Sequence, residues 1–439
     1  MRVPLKKVIT KKYLPKEVDA VIIGAGIVGV CAAYYLNARG FSVALIEKGL
    51  IGAEQSSRNW GWCRQQNRDA RELPMAVRSL ELWDQLSHET GSGLGFRRCG
   101  LLYLSNDEKE IANWAAWRDF AKTQDVETFM LSSAEASERG LVTKKEWKGG
   151  VFSPTDGIAD PSLAAPTLAE AIINNGGHVV QQCAVRGIEK TGGRLSAIVT
   201  EHGVIKTSMA VLSAGAWASS FCKQLGITFP QSSVHSSILS VTSANDIPDA
   251  LHTSQVSITA RSNGTHALAI SGEAKLDPSC QTVRFCKDFL PMFLKRGSSL
   301  KLGGLEGIRS GHESRRIWAL DRPTPMERNR ILDPKPDQSH IDKTFNRAKK
   351  LLPALQNSQV EATWAGYIDS TPDGVPAIGE TSVPGFVLAA GFSGHGFGIG
   401  PGAGYMIADM LSGQTSIIDP SPYEPSRFAQ GSWGKVADF

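Results

Sequence analysis

The chain has 439 residues, more than one typical domain holds, so two or three domains are expected. An apolar share of 41% supports a sizeable buried core, and a net charge of +4, scattered along the chain, gives no nucleic-acid-binding signature. Seven cysteines without a C-x-x-C pair read as reduced thiols of a cytoplasmic protein, and no run of about 18 apolar residues offers a membrane-spanning helix.

Lys6-Lys7 and Lys11-Lys12 flank too short an apolar stretch for a signal peptide. They read as a solvated tail, with contact to an anionic (inner) membrane surface as the alternative. Val21-Ile22-Ile23 then runs into Gly24-x-Gly26-x-x-Gly29, and the glycines open a helix. Gly24 allows the tight turn, Gly26 lets backbone approach a pyrophosphate, and Gly29 lets the helix pack close to the strand. A second apolar strand, Phe41 to Ile46, ends at Glu47, 23 residues after Gly24. A carboxylate there accepts hydrogen bonds from an unphosphorylated ribose. Strand, helix, strand and acid together predict dinucleotide binding.

Ala70 to Glu89 has helical apolar spacing, Phe96 to Leu104 reads as a strand, and Asn106 caps a helix to about Lys122 in which Trp114 and Trp117 are core. Asp160-Pro161 starts another helix, ended by Gly176-Gly177. Short strands follow at 178–181, 185–189, 195–200, 204–207 and 210–212, and residues 227–301 read mostly as short strands and turns. Ile341 to Leu352 is helical. Eight glycines between Gly385 and Gly404 interleave with Phe386, Val387, Leu388, Phe392, Phe397 and Ile399 and precede a helix from Tyr405 to Leu411. That pattern is an ordered strand–loop–helix wrapped round something, not a linker.

Seven ordered blocks resemble the FAD-dependent amino-acid and amine oxidoreductases of the D-amino-acid oxidase superfamily, which includes glycine oxidase and sarcosine oxidase. They are the glycine fingerprint; Glu47-Lys48 with Gln55-Ser56-Ser57-Arg58; Gly157-x-x-Asp160-Pro161; Ala214-Gly215-Ala216-Trp217; Trp364-x-Gly366; Thr371-Pro372-Asp373-Gly374-x-Pro376-x-x-Gly379; and Gly391-Phe392-Ser393-Gly394-His395-Gly396-Phe397. The segments around residues 46–58 and 204–208 are most similar to bacterial L-amino-acid deaminases, which carry an N-terminal anchor not seen here. The last block is similar to the D-amino-acid dehydrogenases.

The resemblance implies an α/β fold: a Rossmann-type FAD-binding domain assembled from 18–95, 150–222 and 355–415, with a β-sheet-rich substrate domain from 96–149 and 223–354. It implies FAD held by Gly24, Gly26, Ile27, Val28, Gly29, Glu47, Lys48, Gln55, Ser56, Ser57, Arg58, Val185, Ala214, Gly215, Trp217, Gly366, Gly394, His395, Gly396, Phe397 and Gly398. The implied chemistry is oxidation of a C–N bond in an amine or amino acid by hydride transfer to flavin, giving an imine that hydrolyses. Oxygen or a quinone would take the electrons. Alternatives are a flavin-bearing subunit of a larger, oligomeric dehydrogenase and a flavoprotein acting by modification or interaction. No metal-ligand cluster is present in the sequence.

Two arginine positions used by relatives to hold a substrate carboxylate read Ile368 and Ser271 or Gly272 here. Arg64, in Trp60-Gly61-Trp62-Cys63-Arg64, is the substitute, with Arg309, Arg315 and Arg316 behind it. His395 is expected beside the flavin ring, and Trp62 and Tyr367 in the substrate pocket. Cys63 reads as a small buried hydrophobe and not as a flavin attachment point.

Overall fold

The computed structural model describes residues 3–11, 13–242, 247–297, 300–309, 317–429 and 434–437. The all-apolar fingerprint strand, Ala20–Ile23, is buried on both faces and pairs in parallel with Val43–Ile46 on one side and Met209–Leu212 on the other. His178–Val180 and Phe386–Ala390 extend this sheet in parallel, and Ala377–Glu380 closes one edge antiparallel. Helices Ile27–Ala38, Ala164–Asn174 and Gly400–Ser412 cover one face. A three-stranded antiparallel sheet, Val185–Thr191, Arg194–Thr200 and Gly203–Lys206, contributes to the core on the other. Continuously apolar strands need cover on both faces, and this layering supplies it. A Cβ on Gly29 would lie 2.0 Å from the Gly24 carbonyl oxygen, so the fingerprint helix seats on its strand only through glycine.

The second large sheet has ten strands among the described residues. Its spine is Ser232–Thr242 paired antiparallel with Val360–Ser370, from Ser232 opposite Ser370 to Val241 opposite Val360. The region 227–301 is mostly short strands and turns, as expected, with one exception at its start. Its first strand is long because a partner of equal length lies opposite. Two helices also interrupt it, Cys280–Arg284, capped by Ser279, and Leu290–Arg296, with Pro291 in its first turn. Strand Val360–Ser370 hydrogen-bonds into this second sheet, although 355–415 is expected to serve the cofactor domain.

Several boundaries shift for local reasons. The first long helix starts at Leu73 with Pro74 in its first turn, not at Ala70. Asp107, not Asn106, caps helix Glu108–Lys122; Asn106 accepts the Lys148 N–H instead. The helix after Asp160-Pro161 starts at Ala164, while Asp160 accepts from the N–H groups of Ser162 and Ser262. The last helix begins at Gly400, well before Tyr405, because its glycines let it touch the fingerprint helix: a Cβ on Gly404 would lie 2.4 Å from that of Cys31. The N-terminal segment is docked and not a solvated tail, with Lys6 Nζ 2.6 Å from Glu170 and Val8 packed on the core. Trp114 and Trp117 are core, as expected. Among the described residues no helix is long and apolar enough to cross a membrane.

Candidate active site

A cavity of about 760 Å³ opens between the two large sheets, within the ~300–1,000 Å³ range of ligand sites. Gly24, Gly26, Ile27 and Val28 line one end. No side chain caps the fingerprint helix, and its first turn carries no acid. Its N-terminal partial charge is thus left for an anion. The one side chain in reach is Ser56, whose Oγ accepts the Ile27 N–H at 2.8 Å. Gly26 has only that Oγ within 4 Å of where its Cβ would stand, at 3.2 Å; any side chain would fill the cradle. Gly29 is not on the wall; it is packing.

Glu47 lines the same end, and its two oxygens accept the Ala25 and Gly49 N–H groups at 2.8 and 2.7 Å. It therefore also ties the glycine turn to the second strand, a role the motif alone does not reveal. Burial raises its pKa against the pull of Lys48.

Lys48, Gln55, Arg58, Val185, Ala214, Gly215, Trp217 and Gly366 all line the middle of the cavity. Lys48 Nζ lies 2.5 Å from Glu54 and 4.6 Å from the centre of the Trp217 ring. Arg58 is a clamp as much as a wall, bonded to Asp333 and to the carbonyls of Ala53 and Ala365. Ser57 is a correction: it is fully buried and off the cavity, its hydroxyl turned to the Glu54 carbonyl. A one-turn 3₁₀ helix, Gln55–Ser57, explains the difference, since successive side chains leave it in different directions.

Gly394, His395, Gly396, Phe397 and Gly398 form the far wall with Trp62, Arg64, Tyr367 and Ile368. Ser271 and Gly272 also line the cavity. Arg309's side chain, Arg315 and Arg316 lie outside the described residues. Tyr367 is 4% exposed and donates its hydroxyl to Asp277 at 3.3 Å. Trp62 packs edge-on to Trp60 and His252, and its indole Nε1 is buried without an acceptor among the described residues. Cys63 is buried, and burial pushes its thiol pKa well up.

One residue of this wall, Arg68, and one behind it, Glu72, were missed by sequence reasoning. Arg68 lines the cavity, is buried, and has no acceptor for Nη1 among the described residues. Burial and the nearby Arg64 lower its pKa to about 10. Glu72, fully buried, takes His395 Nδ1 at 2.9 Å. No local pattern in the sequence marks them, since residues 64–72 form turns ahead of the helix that starts at Leu73.

A glycine cradle at an uncapped helix, a buried acid at the end of the second strand and a cavity leading to a charged wall define a dinucleotide-dependent α/β oxidoreductase. The chain belongs to the family described as FAD dependent oxidoreductase, which matches residues 19–410. FAD is accordingly its cofactor, and the cradle, Ser56 and Glu47 fit it. A solved L-amino acid deaminase from Proteus myxofaciens, in complex with anthranilate, superposes with a TM-score of 0.92 at 29% identity, covering 98% of this chain and 97% of that one. L-proline dehydrogenase from P. horikoshii does so with a TM-score of 0.78 at 27% identity over 96% of this chain and all of that one. Glycine oxidase from Pseudomonas aeruginosa is 26% identical over 92% of this chain and 98% of its own length. Mitochondrial sarcosine dehydrogenase from Mus musculus is 26% identical over 94% of this chain, which spans only 42% of that protein.

Proposed function

We propose that this protein oxidises the C–N bond of an amino acid or N-alkyl amino acid, and that Arg64, with Arg68 beside it, holds the substrate's acid group. The observation that carries this reading is a wall of hydrogen-bond donors without acid partners. Arg64 and Arg68 make no ion pair among the described residues, and Arg68 Nη1 and Trp62 Nε1 are buried without acceptors. Buried donors left unmade are costly, so a missing acceptor is expected from a ligand. A carboxylate is an acceptor with the matching charge. The printed names of the similar proteins, glycine oxidase, sarcosine dehydrogenase and L-amino acid deaminase, point the same way.

Gly24, Gly26, Ser56 and Glu47 would hold the cofactor at one end and Gly394 to Gly398 would border it at the other. Bound FAD supplies a hydride acceptor. The protein's own residues then have two tasks. Arg64 and Arg68 orient the substrate through its acid group, and Trp62, Phe397 and Ile368 narrow the space round it and exclude water. Electron acceptor, oligomeric state and membrane contact belong to this proposal as open choices between oxygen and a quinone, and between a lone chain and a subunit. One similar protein is the beta subunit of a sarcosine oxidase from Arthrobacter sp.

The test is anaerobic bleaching of the flavin by a panel of amino acids, N-methyl amino acids and amines lacking the acid. Bleaching by the acids and not by their acid-free counterparts supports the reading. Bleaching by amines alone would make the protein an amine oxidoreductase.

A further inference from the structure

The Glu72–His395 contact does more than fill space. A fully buried carboxylate near a guanidinium ordinarily pairs with it. Here it does not: Glu72 Oε2 goes to His395 Nδ1 at 2.9 Å, Glu72 Oε1 stays unpartnered, and so does Arg68 Nη1. The acid is thus committed to the imidazole. Glu72 is fixed because it stands at the start of helix Leu73–Glu89, with its N–H donating to the Asp69 carbonyl. His395 is fixed by its own N–H, which donates to the Phe392 carbonyl at 2.7 Å. Its side chain is 16% exposed, and since it lines the cavity that exposed part opens into it. Nε2 is not among the buried unpartnered atoms.

We infer that His395 accepts, at Nε2, the proton that a substrate ammonium must lose before its carbon can be oxidised, and that Glu72 is the positioning residue that makes this possible. Glu72 holds the ring as the Nδ1–H tautomer and offsets the imidazolium charge when it forms. In the step, an N–H bond of the ammonium breaks and its electron pair stays on nitrogen as the amine lone pair. The proton forms a new N–H bond at Nε2 and passes to water after the product leaves. This rests on the amine-oxidising reading above.

The charged surroundings agree. Burial and Arg68, with Arg64 further off, hold the imidazole below its usual pKa against the pull of Glu72, so it is neutral and ready to accept near neutral pH. Burial would raise Glu72, but His395 and Arg68 outweigh it and the carboxyl sits below its usual range. Asp69, Arg71 and Tyr423 are the other titratable groups that feel Glu72.

The experiment uses the FAD-loaded full chain as wild type, Glu72→Gln and His395→Asn. Two readings are taken: the pH dependence of anaerobic flavin bleaching by one amino acid, and the His395 imidazole titration by NMR. The wild type should bleach faster as pH rises through the His395 pKa. Glu72→Gln should move that limb and the NMR titration to lower pH, because the imidazolium has lost its counter-charge, and slow the plateau by ~100-fold. His395→Asn should lose the limb, and added imidazole should restore part of its rate. Unchanged limbs in both variants, or no rescue by imidazole, would overturn the inference. If no amine or amino acid bleaches the wild type, the functional reading fails instead. The NMR titration then decides the dyad alone, since an unshifted His395 in Glu72→Gln rules it out.

Discussion

At the fingerprint end of the cavity the wall is mostly backbone: a glycine turn, the bare start of a helix, and one acid that braces the turn. At the His395 end the wall is side chain: two arginines, an indole, an imidazole and the carboxylate behind it, brought in by one stretch, residues 62–72, and by a glycine loop far along the chain. The backbone end suits a ligand part common to many proteins, because N–H groups and a helix terminus recognise phosphate whatever else is attached. The side-chain end suits a part that differs between relatives. Each arginine there can be replaced without touching the cradle, because neither takes part in the glycine turn or in the Ser56 and Glu47 contacts that hold it.

The comparison breaks most visibly at Gly26. Gly26→Val should yield folded but colourless protein, because the added side chain would occupy the open space the cradle keeps for the pyrophosphate; absorbance of the purified variant is the check. If flavin stays bound, the backbone end is more tolerant than its geometry implies. Next in size is Arg64→Met. Two charge-assisted bonds to a carboxylate are together worth about 3 kcal/mol, so KM for an acid substrate should rise about a hundredfold. KM for the matching acid-free amine should hardly move, and equal losses for both would make Arg64 structural. Glu47→Ala comes third, with FAD dissociation weakened about tenfold to a hundredfold, for a loss of ~1.5–3 kcal/mol, measured by flavin fluorescence. Part of that loss will come from the freed Ala25 and Gly49 N–H groups.

The smallest effect is on stability. Burial pushes Asp156, which sits beneath Arg64 and Arg68, up to about 6. A carboxyl raised above its unfolded value of about 3.9 binds its proton more readily in the native state, so this contribution grows as pH falls from about 7 towards 4. The thermal midpoint of Asp156→Asn should therefore lose part of the wild type's gain on acidification, by on the order of a degree or two. The difference in slope, not the midpoint, is the readout.

What the sequence disclosed divides along the same line. The fingerprint, the second strand and the glycine-rich block were legible because backbone geometry leaves few choices: only glycine fits where a Cβ would stand 2.0 Å from a carbonyl oxygen, or lets two helices touch. Arg64 was found by elimination beside a motif. Arg68 and Glu72 were not found, because nothing local to residues 68–72 says that His395 will lie against them. That contact exists only once the last glycine loop folds back on the first long helix, where Trp83 Nε1 donates to the Gly398 carbonyl. Ser57 was misplaced because a motif gives the order of residues and not the pitch of the turn that carries them.

The strand that opens the cofactor cradle has a further consequence for how the protein is made. Ala20–Ile23 leaves the ribosome early, yet its neighbour Met209–Leu212, that strand's own neighbour Phe386–Ala390 and the helix Gly400–Ser412 come much later. At ~5–20 residues per second, the first apolar strands wait on the order of tens of seconds for the partners that cover them. Ala20–Ile23 has Val43–Ile46 on one side, but until then its other edge is unpaired and open to chaperones. Expression at low temperature or with a holdase should therefore raise the yield of folded protein.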